Sequence, residues 1–397
     1  MTRINKSAFN VREKLTELGR RFGLKGSELM RAETAQEVRD LVSAGRRNLI
    51  INGSMQVWQR GTAATTIATG RKFLADRWGV ATGGSAQLTH ERATDAPAGF
   101  IYSLKVSPSV ADTLVSTEQL HITQHIEAQN MTFLNWGTAE AIPITISFWA
   151  KSNQTSNKCL WIYAQDAGDH IARQFSLSQA NVWEKFTFTI PPNPGGVIAN
   201  DNNTGIYVRI ALDAGPSAAN GSLPTEWSNL TSNGRYGTLE PGFSENTTNE
   251  FYLTGVQVEA GKNATEFEYR SYGEELALCQ RYYQKIYYNT SDYPLGYGYT
   301  YNTTNSACVV PIPTNMRGEA SSIDVVNCNI RGSNQDGVNN GYTITSHTYA
   351  TDNGITKGLC QLNVIHNTVN ATNIGAASVI TNGVSDATSY IAIDAEL

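Results

Sequence analysis

The stretch FYLTGVQVEAGKNATEFEYRSYGEELALCQRYY, residues 251–283, joins two different kinds of sequence. Its first part alternates, with Phe251 and Leu253 on one parity and Val256 and Val258 on the other. A period of two predicts a strand, here the closing strand of a sheet. Turn residues follow at 260–263, and Leu276, Cys279 and Tyr283 then recur at helical spacing. The stretch therefore predicts the end of a β-rich domain and a short helix that leads to another domain.

The length and composition of the chain indicate several β domains. At 397 residues it exceeds the roughly 250 to 300 residues at which single cores stop growing, so we expect two or three domains. Only 16% of residues are charged, and much of the polar surface must come from Asn, Thr, Ser and Gly instead. These residues suit turns and the solvated faces of strands. Residues 1–47 hold 11 Lys and Arg against 6 Asp and Glu, a net +5, which leaves −10 for the rest.

Neither the cysteines nor the apolar runs point to secretion. The five cysteines are Cys159, Cys279, Cys308, Cys328 and Cys360, and none lie at the spacing of a redox pair or a zinc site. We expect reduced thiols in the cores. The N-terminal residues MTRINKSAFNVREKL lack the apolar core of a signal peptide, and no run approaches the roughly 20 apolar residues of a membrane span. The sequence predicts folding in a cytosol and no membrane insertion.

Residues 8–45 have the helical pattern of the N-terminal segment. Two capping boxes, at 10–13 and 34–37, predict two short helices. In the first helix an apolar seam has spacings of 4, 3 and 4 residues, as in a coiled coil, and consists of Val11, Leu15, Leu18 and Phe22. Because so short a helix is marginal alone, it must bury this seam. We predict trimerisation and attachment to a larger particle; packing on its own domain is the alternative. Interspersed acidic residues argue against nucleic acid as a partner.

From residue 48 to residue 267, short apolar runs alternate with Gly, Asn, Thr and Pro, which predicts a sandwich or jelly roll. The runs NLIINGSMQVWQRG, ADRWGV, FIYSLKV, ITQHIEAQN, LNWGTAEAIPITISFWAKS and WEKFTFTI occur in an order that resembles tail-fibre and structural proteins of tailed bacteriophages. GVQVEAG followed by ATEFEYRSYGEELALCQRYY resembles the join in those proteins between a jelly roll of carbohydrate-binding-module type and a β-rich terminal domain. The resemblance covers residues 48–272 and implies sugar binding. Some similar jelly rolls carry a structural calcium, but no carboxylate cluster here has a suitable spacing, so no cofactor or metal is predicted.

Aromatic residues supply the candidate glycan contacts. All seven tryptophans lie between residues 48 and 272, and sugars stack their apolar C–H faces on such rings. Alternation places Trp149, Trp161 and Tyr163 on the less aliphatic side of their strands, although core or sheet packing is the alternative for each ring.

Residues 200–248 are rich in turn formers after a possible strand, and their recognition-capable residues are Trp227, Arg235 and Tyr236. Covering a sheet edge is the alternative role for this loop.

His121 and His125 have the spacing of a helical metal site, but LHITQHIEA alternates like a strand. Four strand residues separate the two rings by about 13 Å, too far to share an ion. We therefore expect two surface histidines.

Residues 273–397 predict a second β unit that begins with tyrosines, among them Tyr297 and Tyr299, and ends in SYIAIDAEL. VPIPTNMR and the terminal DAEL resemble the distal domain of the same phage proteins. Tyrosine with Ser, Gly and Asn is common on recognition surfaces, although tyrosine also simply suits strands. We expect host recognition in this domain; a sugar site near Trp149 and Trp161 is the competing placement.

No nucleophile with a base and no positioned pair of carboxylates is visible, so the sequence predicts no enzyme. The fold class predicted is mainly β: a helical segment at 1–47, a jelly-roll β-sandwich at 48–272 and a β-sandwich-like distal domain at 273–397. The function predicted is a homotrimeric tail fibre of a virion, assembled in the host cytoplasm, that contacts other virion proteins and host surface polysaccharide. A structural or decoration fibre without receptor binding and a polysaccharide-degrading enzyme are the alternatives.

Overall fold

The computed structural model describes residues 31, 48–230, 234–287, 294–332, 340–349, 359–366, 377–382 and 389–397. The mainly β prediction is confirmed. The predicted seam of Val11, Leu15, Leu18 and Phe22 lies outside the described residues, so its role in trimerisation and attachment stays a prediction.

Two antiparallel sheets form the sandwich in the first part of the chain. The six-stranded sheet has the order β1 (Thr65–Ile67), β4 (Gln87–Ala93), β5 (Ser103–Val110), β13 (Phe251–Ala260), β7 (Ile144–Ser152) and β10 (Glu184–Ile190). The seven-stranded sheet has the order β12 (Ser228–Asn229), β9 (Asp169–Phe175), β8 (Lys158–Ala164), β11 (Thr204–Ala214), β6 (Gln119–Glu127), β3 (Gly79–Thr82) and β2 (Gly70–Phe73). One apolar cluster fills the space between them, with Trp78, Phe148 and Phe251 among its largest members.

Strand β13, which forms the first part of the stretch 251–283, is central in its sheet because it pairs with both β5 and β7. A bulge between Thr254 and Gln257 shifts its register, and Gly255 at the bulge has φ +63°. A Cβ there would also come within 2.7 Å of the Phe100 ring, so glycine suits both the backbone and the space. The bulge reverses the alternation. Side chains from both predicted parities therefore enter one core: Phe251, Leu253, Val256 and Val258.

Helical turns are few among the described residues. Two 3₁₀ turns, Ala128–Asn130 and Thr132–Leu134, follow β6, and helix α1 (Pro216–Ala219) follows β11. Helix α2 (Tyr272–Gln280) confirms the short helix predicted in the second half of the stretch 251–283. Its N-cap, Ser271, accepts a hydrogen bond from the Glu274 amide, which satisfies one of the free N–H groups of the first turn.

The C-terminal part consists of a three-stranded sheet beside a closed barrel. The sheet has the order β14 (Tyr283–Ile286), β22 (Tyr390–Asp394) and β17 (Ser322–Val326). The barrel has the order β15 (Pro294–Thr300), β16 (Asn305–Pro311), β20 (Leu359–His366), β19 (Asn340–Tyr349), β18 (Cys328–Gly332) and β21 (Ala377–Asn382). One apolar cluster lines both, including Val310, Leu362 and Ile391. All five cysteines of the chain are free and buried, as the sequence predicts.

The two parts meet at a buried polar contact, which we call the junction: Arg60, Asp76 and Arg77 of the sandwich with Asp394 and Glu396 of the C-terminal part. Arg60 is paired with Asp76 at 3.2 Å and with Asp394 at 2.9 Å. Arg77 donates to the Glu396 carboxylate, and both side chains are at most 4% exposed. The terminal DAEL motif, predicted to belong to a distal domain, therefore lies against the sandwich.

Further contacts extend the junction. Arg281 donates twice to the Glu127 carboxylate, both bonds at 2.9 Å, and Arg317 of the VPIPTNMR motif donates to the main-chain oxygen of Asn202 at 2.8 Å. The Arg77 guanidinium also lies 3.4 Å from the centre of the Tyr282 ring. These contacts add hydrogen bonds and a cation–π contact between the two parts of the chain.

We expect acid to weaken the sandwich through His90 on β4. This side chain is fully buried, and burial, aided by the ammonium of Lys72, lowers its pKa from 6.5 to about 4. As pH falls from 6.5 toward 4, His90 is therefore protonated in the unfolded chain but stays neutral in the folded chain. Between pH 7 and pH 5 this costs about 2 kcal/mol of unfolding free energy. Urea unfolding of wild type and His90→Leu at both pH values measures the difference; equal pH dependence in both would contradict it.

Candidate functional site

The outward face of the seven-stranded sheet carries an unusual set of side chains. Leu160 and Ile162 of β8 and Val208 and Ile210 of β11 point into the core, so the residues between them point outward. Register places Tyr207 opposite Tyr163, and Arg209 opposite Trp161. We call this surface the aromatic–arginine face; its members are Trp161, Tyr163, Tyr207, Arg209, His121, His125, Arg71 and Arg235.

The rings of this face form a continuous row across three strands. Trp161 and Tyr163 are parallel within 9°, with ring centres 5.4 Å apart. Tyr163 lies 5.5 Å from Tyr207, and Tyr207 lies 4.0 Å from His125 on β6. Trp161 is buried, whereas Tyr163 and Tyr207 are half-buried and keep part of their rings accessible. Trp161 belongs to an apolar cluster with Tyr236 and Leu239, and Tyr163 and Tyr207 pack against that cluster. The row can therefore offer the accessible parts of two rings on a rigid base.

Hydrogen bonds fix the buried end of the row. Trp161 Nε1 donates to His170 Nδ1 at 2.9 Å, so His170 accepts there as a neutral ring. Arg209 donates to Gln119 Oε1 at 3.1 Å and to the Tyr236 hydroxyl at 2.9 Å, and its guanidinium lies 4.7 Å from the Trp161 ring centre. Strand pairing and these bonds hold the rings in place without a ligand, which lowers the entropy cost of binding.

Two histidines of β6 lie near the Tyr207 end of the row. The prediction that His121 and His125 lie on a strand is confirmed, since both belong to β6. The expectation that they are surface residues is wrong: they are only 7% and 6% exposed because neighbouring outward side chains cover them. Burial, together with the guanidinium groups of Arg209 and Arg71, lowers the pKa of both rings well below the usual value. Arg71 lies 2.9 Å from His125 Nε2, which accepts its hydrogen bond when the ring is neutral.

The structure separates the predicted glycan contacts into different places. Trp161 and Tyr163 lie on the aromatic–arginine face, but Trp149 lies on β7 in the opposite sheet. Tyr236 is fully buried, with its hydroxyl hydrogen-bonded to Gln119, so in this structure it supports Trp161 from a ring-centre distance of 6.2 Å. Trp227 is half-buried: its Nε1 donates to the Pro191 oxygen at 2.7 Å, and its ring packs on another tryptophan. Alternation identifies a face of one strand but not the sheet to which that strand belongs.

The two predicted tyrosines of the C-terminal part lie on the outside of the barrel. Tyr297 and Tyr299 on β15 are 58% and 54% exposed, and Tyr301 beyond them is 44% exposed. We call these three residues the tyrosine stripe. The Tyr299 and Tyr301 rings are 6.3 Å apart in an edge contact. The rings of the stripe are exposed, and among the described residues no lysine or arginine lies over any of the three.

Two members of the aromatic–arginine face, Tyr207 and Arg209, were not singled out from the sequence. The sequence pattern that would have identified them was present: in TGIYVRIALDA, apolar residues alternate with Tyr207 and Arg209, which places these two on the opposite face of the strand. Arg71 had no such signal, since it reaches the face from the edge strand β2 by strand pairing with β3.

No group of three or more potential metal ligands is found within the described part of the chain. Nor does that part contain a helix long and apolar enough to cross a membrane.

No protein-family model and no curated protein matches the chain. Among solved structures, the arabinofuranosidase MgGH51 bound to arabinose is 9% identical with a TM-score of 0.29; the match covers 54% of this chain and 26% of that one. The enzymatically active domain of tailspike protein 4 from bacteriophage CBA120 is 13% identical with a TM-score of 0.26, covering 54% and 21%. The family 11 carbohydrate-binding module of the Clostridium thermocellum cellulase Lic26A-Cel5E is 15% identical with a TM-score of 0.25, covering 50% and 100%.

The matched half of this chain spans about a quarter or less of the first two structures and the whole of the binding module. A xylan-binding module from Paenibacillus barcinonensis also matches. At these identities and TM-scores the matches say nothing about what this chain binds, which rests on the geometry of its own residues.

Proposed function

We propose that this chain is a glycan-binding protein of a bacteriophage particle, a tail fibre that contacts polysaccharide on the host surface through the aromatic–arginine face. The observation that supports this most is the row of Trp161, Tyr163 and Tyr207, held on the outside of a sheet by strand pairing and flanked by hydrogen-bonding groups. The phage setting is supported by the sequence resemblance described above.

The chemistry of the face suits a sugar. A pyranose ring has an apolar C–H side that packs on an aromatic ring and hydroxyl groups that need hydrogen-bond partners. Tyr163 and Tyr207 provide half-exposed rings, while Arg71 and Arg209 provide donors beside them. Binding of labelled bacterial surface polysaccharides to the full-length protein is the direct test, and we expect it to depend on both tyrosines.

The tyrosine stripe is a second candidate for glycan contact, because its rings are the more exposed of the two sets. It is the placement favoured from the sequence. We prefer the aromatic–arginine face because it combines rings with fixed polar groups, which a sugar-binding site needs for orientation.

We propose that the protein binds glycans without cleaving them. The two acids considered in the sequence, Asp166 and Asp169, serve local structure: Asp166 accepts a hydrogen bond from the Ala199 amide and Asp169 accepts one from the Asn193 side chain, both at 2.9 Å. Incubation with bacterial polysaccharide should release no reducing ends above a buffer control. Release that disappears in Asp166→Asn or Asp169→Asn would contradict this and favour a polysaccharide-degrading enzyme.

We further propose a homotrimer that joins the virion through residues 1–47. The coiled-coil spacing of Val11, Leu15, Leu18 and Phe22 supports this arrangement, because it predicts an apolar seam that sister chains would bury. Light scattering should give three times the chain mass of 43.3 kDa for the full-length protein. Leu15→Asp with Leu18→Asp should give the monomer mass with the same far-ultraviolet circular dichroism in the β region. A wild-type monomer at micromolar concentration would contradict the trimer.

A further inference from the structure

On the aromatic–arginine face, Arg209 and Arg235 bring positive charge close to the Trp161 ring. Arg71 differs, because Glu396 is near enough to oppose the lowering of its pKa by burial, and its guanidinium donates to the main-chain oxygen of Leu397. Arg209 and Arg235 lie within 6 Å of the Trp161 ring centre, at 4.7 and 5.9 Å. Neither forms an ion pair with a carboxylate in the part of the chain that the structure describes. Arg60, Arg77, Arg270 and Arg281 do pair with acids, whereas the half-buried Arg92, Arg173 and Arg317 resemble Arg209 and Arg235 in forming no ion pair among the described residues.

Several buried nitrogen atoms on this face also lack hydrogen-bond partners among the described residues. They are Nδ1 of His121, Nδ1 of His125, and Nε of Arg209 and of Arg235. Because Arg71 donates to Nε2 of a neutral His125, the proton of that ring lies on Nδ1, which makes Nδ1 a donor without an acceptor. Both arginine Nε atoms are donors as well.

The surroundings make this positive region an exception. Residues 48–397 carry a net charge of −10, which repels anionic polymers in general. The potential near the rings has the opposite sign: Arg209, Arg71 and Arg235 all disfavour protonation of His121, after burial itself. A neutral sugar accepts ordinary hydrogen bonds from these guanidinium groups, whereas a carboxylate or phosphate forms stronger, charge-assisted hydrogen bonds with them.

We propose that the glycan bound by this face is acidic, with a carboxylate or phosphate group against Arg209 and Arg235 and a sugar ring on Tyr163 and Tyr207. This inference rests on the proposed glycan-binding function and names the class of its ligand. A carboxylate would come from a uronic or nonulosonic acid residue, and a phosphate from a phosphorylated sugar.

A glycan array carrying uronic-acid, nonulosonic-acid, phosphorylated and neutral bacterial oligosaccharides tests the class with full-length protein. The strongest acidic binder is then compared with its carboxyl-reduced or dephosphorylated counterpart, which distinguishes the two sources of charge. Charge-assisted bonds of about 1.5–3 kcal/mol predict roughly 10- to 100-fold weaker binding of the neutral counterpart. Raising salt from 20 to 300 mM should weaken only the acidic ligand.

Variants assign the effect to the face. Arg235→Gln, which replaces a half-buried side chain, should abolish most of the preference for the charged ligand over its neutral counterpart. Arg209→Gln should do the same; Arg209→Lys keeps the charge and serves as the control if loss of the bonds to Gln119 and Tyr236 disturbs folding. Circular dichroism and thermal midpoints verify the fold of each variant.

Equal affinity for the charged ligand and its neutral counterpart would overturn the inference and leave the proposed function standing. Binding of no oligosaccharide on the array would contradict the proposed function itself, and the inference with it. A single-stranded oligonucleotide that binds these arginines more tightly than every glycan would overturn both and indicate a nucleic acid as the ligand of the face.

Discussion

Glu396→Gln lowers the free energy of unfolding of the sandwich by about 3–5 kcal/mol, the cost of leaving a buried charge without its partner. The Glu396 carboxylate accepts from Arg77, whose side chain is 2% exposed and also contacts Tyr282. Burial acts to lower the pKa of Arg77 and the neighbouring Glu396 raises it. The guanidinium nevertheless stays charged when Glu396 is replaced, because an arginine side chain is not deprotonated in proteins. The variant therefore keeps an uncompensated cation at the junction.

All seven tryptophans lie in the sandwich, so their fluorescence during urea unfolding reports that part of the chain alone. Glu140→Gln is the matched control, because Glu140 is exposed and its change should stay within about 0.5 kcal/mol. Identical urea midpoints for the two variants would show that the junction does not stabilise the sandwich.

Tyr163→Ala combined with Tyr207→Ala should abolish measurable glycan binding. Both rings are half-buried members of the row on the aromatic–arginine face, 5.5 Å apart, and each has a hydrophobic area that only a packed ligand can fully cover. Truncation of a central aromatic contact costs about 2 kcal/mol, roughly 30-fold in Kd for each ring. Isothermal titration calorimetry with an oligosaccharide selected on the array measures the loss.

The matched control is Tyr297→Ala with Tyr299→Ala, two exposed rings on the barrel. This pair should leave Kd within about twofold of wild type, and it also tests the tyrosine stripe as the second candidate. Loss of binding in this control and not in the sandwich variant would move the site to the barrel. Whole-chain variants are the right comparison, because cutting the chain near residue 272 would expose the polar groups of the junction.

Local patterns predicted the β class, the helix after residue 271 and the outward side of individual strands. Period-two alternation reports which side chains share one face of one strand, and for Trp161 and Tyr163 that was sufficient. It could not show that Trp149 belongs to the opposite sheet, because sheet membership depends on pairing between distant strands. Nor could it show the reversal at Gly255, where the bulge brings side chains of both parities into one core.

The junction had no signal in the sequence. Arg77 and Glu396 are separated by 319 residues, and neither lies in a pattern that predicts an ion pair. The burial of His125 was missed for a related reason: its own strand presents it outward, and Tyr207 and Arg71, from other strands, cover it. Contacts that depend on long-range topology become visible only when the strands are placed.

The measurement that tests the central claim most directly is hydroxyl-radical footprinting of the full-length protein with and without a saturating oligosaccharide. If the aromatic–arginine face binds the glycan, ligand should reduce oxidation of Tyr163 and Tyr207 severalfold and leave Tyr297 and Tyr299 unchanged. Protection confined to Tyr297 and Tyr299, or no change at Tyr163 and Tyr207 under saturation, would contradict it.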